Sequence, residues 1–150
     1  FFRDISPFQR MKEDLLPVYI KSRAAQKSLR IWSAACSTGQ EPYSIAMLLK
    51  EYPQLAGWRF DIVATDLSHD ILAQAKTGSY SQFDIQRGLP VQMLVKYFTK
   101  QGDSWLVKPE LKETIQKHTL KDLARQARPP GSDHRQDDQP PDRSRSSRAV

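Results

Sequence analysis

The sequence predicts an α/β fold built on a parallel sheet of the doubly wound kind. Two stretches, residues 28–35 and 60–65, are short apolar runs typical of buried strands. Each run is followed by a small or polar turn and then by a segment with apolar residues at helical spacing. Strand, helix, strand, helix in this order requires crossover connections, so the two strands are predicted to be parallel.

Composition limits the class of protein. The 150 residues, 39% hydrophobic and 27% charged, suffice for one domain with a buried core. The single cysteine, Cys36, has no partner for an intrachain disulfide, and with three scattered histidines it offers no metal cluster. The longest apolar runs are far below the roughly 20 residues of a membrane span. We therefore expect a cytoplasmic protein with no metal site and no direct membrane insertion.

Charge and composition change along the chain. The net charge of +6 is dispersed and not interleaved with aromatic residues, so we do not expect nucleic-acid binding. Residues 124–150 are rich in Pro, Arg, Ser and Asp, with too few apolar residues to offset the entropy of ordering. We expect a structured part over 1–123 and a disordered tail over 124–150. Because the chain opens on Phe1 rather than Met, we expect a processed product or a fragment.

The individual elements follow from local patterns. Apolar residues at helical spacing predict an amphipathic helix over 8–20, which Pro17 should bend or end. The first strand, 28–35, leads through the turn 36–39 into a helix that has Pro42 in its first turn and extends to Tyr52.

The second half of the pattern repeats the first. The second strand, 60–65, closes on Asp66, and Ser68 is placed to cap a third helix that ends at Gly78. Residues 88–90 open a short helix that reaches Phe98, and a turn at 101–103 leads into the apolar residues 105–107. Residues 111–120 are predicted to supply another strand.

The turn after the first strand predicts a nucleotide-type cofactor. Small residues let a ligand approach the backbone and the free N–H groups of the helix start. The turn lacks the glycine spacing of dinucleotide sites and phosphate loops. Glu41 would repel phosphate but suits the ammonium and sulfonium groups of S-adenosylmethionine, although it is also simply a favourable acid at a helix start. Asp66 is placed to bind ribose hydroxyls, or is only a turn residue; together these signals favour an adenosyl cofactor.

Three motifs carry a family resemblance. They are Phe-Phe-Arg at residues 1–3, Ile-Trp-Ser-Ala-Ala-Cys-Ser-Thr-Gly-Gln-Glu-Pro-Tyr-Ser at 31–44 and Ala-Thr-Asp-Leu-Ser at 64–68. With the runs 76–80, 87–90 and 107–111, they make the chain resemble the CheR-type chemotaxis receptor methyltransferases up to about residue 123. The resemblance implies an incomplete, Rossmann-like methyltransferase sheet, a fragment of the family's catalytic domain.

The resemblance also implies the chemistry. Arg3 would lie at the methyl-transfer centre and touch the cofactor, Glu41 would contact the methionine part of S-adenosyl-L-methionine, and Asp66 its ribose. The family reaction methylates glutamate side chains on the cytoplasmic domains of membrane-embedded chemoreceptors, a protein-glutamate O-methyltransferase activity. Alternatives are a truncated, catalytically silent remnant acting at most as a cofactor-binding or protein-interaction module, and a methyltransferase with a small-molecule substrate.

Three residues near the turn are interpreted as packing residues. A small buried thiol at Cys36 is expected to fill space, because no histidine is close enough in sequence to activate it. Trp32 is expected in the core, and Tyr43 against the neighbouring helix.

Overall fold

The computed structural model describes residues 1–119, which form two three-stranded sheets and seven α-helices. The boundary expected at residue 123 and the tail 124–150 lie outside the described residues. The helices are α1 (Ile5–Arg10), α2 (Leu16–Ser22), α3 (Gln40–Glu51), α4 (His69–Thr77), α5 (Gln82–Gln86), α6 (Val91–Tyr97) and α7 (Pro109–Lys112). The strands are β1 (Ser28–Ala34), β2 (Arg59–Asp66), β3 (Ser79–Ser81), β4 (Phe98–Gln101), β5 (Ser104–Val107) and β6 (Ile115–Thr119).

The first sheet is parallel and has the order β1-β2-β6, which confirms the predicted α/β arrangement. In the central strand, Ile62 and Ala64 are fully buried. Strand β1 alternates instead, with Leu29 and Ser33 buried and Trp32 63% exposed. The expectation that Trp32 lies in the core is wrong, because β1 is an edge strand of this sheet and its outer face is open in the described part of the chain.

The core lies where α3 and α4 pack on β2 and β6. Helix α3 buries Tyr43, Met47 and Leu49 completely, so the prediction that Tyr43 packs is confirmed. The helix begins at the carboxyl edge of the sheet, directly after β1. The two predicted ends of α4 are also confirmed, since the Ser68 hydroxyl accepts a backbone N–H of its first turn and Gly78 adopts the left-handed conformation after its last.

The N-terminal helix, predicted over 8–20 from its apolar residues, extends over residues 5–22. It begins earlier because the Asp4 carboxylate caps α1 by accepting a backbone N–H two residues on. One π-helical turn, Met11–Leu15, then joins α1 to α2. Pro17 does not end the helix, which continues to Ser22; the π-helical turn lies directly before it, where the regular α-helical hydrogen bonds are interrupted.

The second sheet, hereafter the small sheet, is antiparallel with the order β3-β5-β4. Its strand β5 corresponds to the predicted apolar run 105–107, but β3 and β4 were not predicted. Helix α6 ends one residue before Phe98, which is instead the buried first residue of β4. The strand predicted within 111–120 is present as β6.

Candidate functional site

A cavity of about 670 Å³ opens beside the carboxyl end of β1. Its walls come from residues 1–4, the N-terminal helix, the second half of β1, the turn between β1 and α3, the first half of α3, and the segment that holds Asp84 and Arg87. The size is that of pockets that bury a small organic ligand. The position is the expected one, since open α/β sheets bind ligands beyond the carboxyl ends of their strands.

The β1–α3 turn, residues 35–39, has an unusual backbone. Ala35, Ser37 and Gly39 all have positive φ, at 53°, 50° and 97°. At Ala35 and Ser37, which are not glycine, such conformations cost free energy and persist only where surrounding contacts enforce them. The Cys36 N–H contributes one such contact by donating to the Thr65 carbonyl of β2 at 2.8 Å. The turn is therefore held in a shape that brings its backbone to the cavity wall.

Gly39 lies where the backbone of this turn packs closely against Tyr80 and Ala75. A Cβ at this position would lie 3.0 Å from the Tyr80 Oη and 3.2 Å from the Ala75 Cβ. These distances are too short for an unstrained side chain, and the positive φ at Gly39 already disfavours any residue other than glycine. The small-residue turn singled out in the sequence is thus required by both conformation and space.

Asp66 connects β2 to this turn. Its Oδ2 accepts the Ser37 N–H at 3.0 Å and its Oδ1 accepts the Ser68 N–H at 3.1 Å. These backbone hydrogen bonds, that of Ser68 first, lower the pKa of Asp66, so the group is a carboxylate at neutral pH. Each oxygen keeps a second acceptor site. Asp66 is not among the residues that line the cavity, but it touches the wall through Ser37.

Glu41 lies on the cavity wall in the first turn of α3. Its Oε1 accepts the Ser33 hydroxyl at 2.7 Å. Ser33 is 2% exposed and points from the buried face of β1, so this hydrogen bond orients the carboxylate at the base of the pocket. Sequence reasoning missed Ser33, although a hydroxyl inside an otherwise apolar strand was the available signal.

The N-terminal segment places Arg3 on the same cavity. Phe1 is 4% exposed, and its ring meets Tyr80 edge to face with 4.8 Å between centroids. The Phe2 N–H donates to the hydroxyl of Ser44 on α3 at 3.2 Å. Two anchored residues therefore hold the third, and the structure brings Arg3 and Glu41 to one cavity with Asp66 at its edge.

Cys36 also lines the cavity, but its side chain is 2% exposed. Burial raises the pKa of its thiol, and the Asp66 carboxylate adds to this effect. A protonated, buried thiol is a poor nucleophile, which agrees with the space-filling role expected for Cys36.

Residues 1–119 contain neither a metal-binding cluster nor a membrane-spanning helix. No group of three or more His, Cys, Asp and Glu side chains in these residues is arranged to hold a metal ion. Within the same residues, no helix has the length and apolar character needed to cross a membrane.

A protein-family model described as "CheR methyltransferase, SAM binding domain" matches residues 1–132. The chain belongs to this CheR family. It is 42% identical over 127 residues to chemotaxis protein methyltransferase 1 of Pseudomonas aeruginosa, covering 80% of this chain and 45% of the relative. It is 42% identical over 121 residues to chemotaxis protein methyltransferase Cher2 of Pseudomonas putida, covering 77% and 44%. A Borreliella burgdorferi chemotaxis protein methyltransferase is 37% identical over 120 residues, covering 77% and 42%.

The CheR chain thus spans somewhat less than half the length of these relatives. Its cofactor is S-adenosyl-L-methionine, as the matched domain implies. The cavity fits this molecule, because the β1–α3 turn forms its wall beside a carboxylate, Glu41, able to pair with an ammonium group. The small residues, the helix start and the acidic side chains are those that the sequence singled out.

Proposed function

We propose that this chain is the cofactor-binding part of a protein-glutamate O-methyltransferase that acts on the cytoplasmic domains of chemoreceptors. The observation that carries the proposal is one cavity walled by Arg3, Glu41 and the β1–α3 turn. The names of the relatives, all chemotaxis protein methyltransferases, support the substrate class.

In this proposal Glu41 binds the α-ammonium group of the cofactor's methionine part. The Ser33 hydrogen bond keeps the carboxylate oriented before the cofactor arrives, which lowers the entropy lost on binding. Asp66 uses its remaining acceptor sites for the ribose hydroxyls, while its bonds to Ser37 and Ser68 keep it ionised and fixed.

Arg3 is the proposed catalytic residue. A guanidinium offers paired N–H donors that match the two oxygens of a carboxylate, so it can hold a substrate glutamate in one orientation. The bound cofactor supplies an electrophilic methyl group on a sulfonium. A glutamate oxygen forms the new bond to the methyl carbon as the bond from carbon to sulfur breaks, giving a methyl ester and S-adenosylhomocysteine. No proton moves, so the residues of the chain mainly position the reactants and exclude water.

The test separates the two halves of the cofactor. We would titrate the wild-type chain, Glu41→Ala and Asp66→Ala with S-adenosylhomocysteine and with 5′-methylthioadenosine, which lacks the amino-acid part. Glu41→Ala should weaken S-adenosylhomocysteine binding about 10- to 100-fold, the size of a hydrogen bond to a charged group, and leave 5′-methylthioadenosine unaffected. Asp66→Ala should weaken both ligands. Glu113→Ala, at an exposed glutamate outside the cavity lining, is the control.

The transfer step needs its own assay. Methyl incorporation into a chemoreceptor cytoplasmic fragment should be lost in Arg3→Ala while cofactor binding persists. Binding without transfer by the wild-type chain would instead make it a cofactor-binding module. No binding by a cooperatively folded wild-type chain would overturn the roles proposed for Glu41 and Asp66.

A further inference from the structure

Tyr80 belongs to the small sheet, but its side chain reaches the β1–α3 turn. The residue is at the middle of β3 and is 4% exposed. Its hydroxyl donates to the carbonyl oxygen of Thr38 at 2.8 Å, across 42 positions of sequence. Thr38 lines the cavity and Tyr80 does not. Tyr80 therefore contacts the turn from behind, on the side away from the ligand.

The ring of Tyr80 is held on several sides. It meets the ring of Phe1 edge to face at 4.8 Å, and that of Tyr43 at 6.2 Å between centroids. Its Oη would lie 3.0 Å from a Cβ at Gly39, so the glycine is what lets the hydroxyl come this close. With the ring fixed, the hydroxyl has little freedom to leave the Thr38 carbonyl.

The hydroxyl is also a permanent donor. Burial raises the pKa of Tyr80 far above its usual range, with a smaller contribution from Tyr43. Tyr80 is thus protonated at neutral pH, where its hydroxyl donates to the Thr38 carbonyl.

The turn needs such support, because two of its non-glycine residues, Ala35 and Ser37, have positive φ. Asp66 secures Ser37 from β2, and Tyr80 secures the next residue from the small sheet. We propose that Tyr80 is a positioning residue that holds the β1–α3 turn in the conformation that receives S-adenosylmethionine, without touching the cofactor. This role rests on the proposed function of the cavity.

The experiment compares two tyrosines. Tyr80→Phe removes only the hydroxyl, and Tyr97→Phe is the matched control, since Tyr97 is equally buried and donates to Glu51 outside the cavity lining. Tyr80→Phe should raise the Kd for S-adenosylhomocysteine about five- to tenfold, the loss expected for one neutral hydrogen bond. Tyr97→Phe should change it less than twofold, even where both variants lower Tm.

Amide hydrogen exchange without ligand supplies the readout that general destabilisation would not move. Deuterium uptake in a peptide covering 35–40 should be faster in Tyr80→Phe and unchanged in Tyr97→Phe, with β2 peptides as the check that the sheet is intact. Equal affinity and equal exchange in Tyr80→Phe and wild type would overturn the role of Tyr80, as would equal losses in both variants. Failure of the wild-type chain to bind would overturn the cofactor role of the cavity, and the exchange experiment would still decide whether Tyr80 holds the turn.

Discussion

The two sheets contribute to the site in different ways. The parallel sheet brings the ends of β1 and β2 together, so the turn, Glu41 and Asp66 follow directly from its topology. None of the described residues of β3, β4 or β5 lines the cavity. The small sheet instead reaches the site through buried rings and one hydroxyl, from Phe98 and Tyr80. One sheet carries the candidate binding groups, and the other packs behind them.

Two glycines give the strongest test of this difference. Gly39 and Gly102 both have positive φ, at 97° and 57°, but a Cβ at Gly102, in the β4–β5 hairpin, meets nothing within 4 Å. Gly39→Ala adds a collision with Tyr80 and Ala75 to the backbone strain, and should cost about 2–4 kcal/mol of stability and abolish S-adenosylhomocysteine binding. Gly102→Ala should cost about 1 kcal/mol and leave the Kd unchanged. Thermal unfolding and calorimetric titration of both variants measure these effects.

If Gly102→Ala weakened binding as much as Gly39→Ala, the small sheet would contribute to the cavity more directly than its position indicates. If Gly39→Ala bound normally, the close packing of Tyr80 and Ala75 behind the turn would not be needed for the ligand.

Ser33 tests a contact made wholly within the parallel sheet and its helix. Ser33→Ala removes the hydroxyl that orients Glu41, so the Kd for S-adenosylhomocysteine should rise about three- to tenfold. The Kd for 5′-methylthioadenosine should not change. In a Glu41→Ala background the same substitution should have no further effect, because the two residues act through one hydrogen bond. Additive losses in the double variant would contradict this coupling.

The smallest expected effect is a dependence of stability on pH that arises from Lys117. Its Nζ lies 3.0 Å from the Tyr43 Oη and 4.5 Å from the centre of that ring. Burial lowers the pKa of Lys117 to about 8, from 10.5. Between these values the folded chain binds fewer protons than the unfolded chain, so this group makes stability rise as the pH rises from about 8 to 10.5.

Lys117→Met keeps most of the apolar side chain and removes the titrating group. The raised pKa of Cys36 has the opposite sign, since the unfolded chain loses that proton first as the pH rises. The difference between wild type and variant therefore reports on Lys117 together with its electrostatic interaction with Cys36. Urea unfolding midpoints at pH 7 to 10 should show the wild type gaining stability relative to Lys117→Met, and parallel profiles would show that Lys117 is not desolvated.

The parallel sheet could be predicted because its signals are local. Its first two strands are short, largely apolar stretches, the cap at Ser68 and the end at Gly78 lie at the ends of their own helix, and the turn consists of small residues. The same locality pointed to Glu41 and Asp66 as candidate cofactor residues, whose roles stay predictions.

The small sheet and the supporting contacts could not be predicted in this way. Strands of three and four residues are too short for a periodic pattern, and the contact of Tyr80 with Thr38 joins distant parts of the chain. The prediction for Trp32 failed for a different reason. Its apolar side chain indicates burial, but its exposure is decided by which face of β1 is covered. The types of side chain predicted where helices and strands lie better than they predicted which elements pack against one another.

The β1–α3 turn has a consequence for how the chain folds during synthesis. Two of its supports, Asp66 and Tyr80, come 29 and 42 positions after the residues they hold. A ribosome therefore releases the turn before either support exists, and residues 35–39 then have no reason to stay in left-handed conformations. With the roles proposed for Asp66 and Tyr80, we expect the turn to reach its cofactor-binding conformation late in folding, once both residues have docked against it.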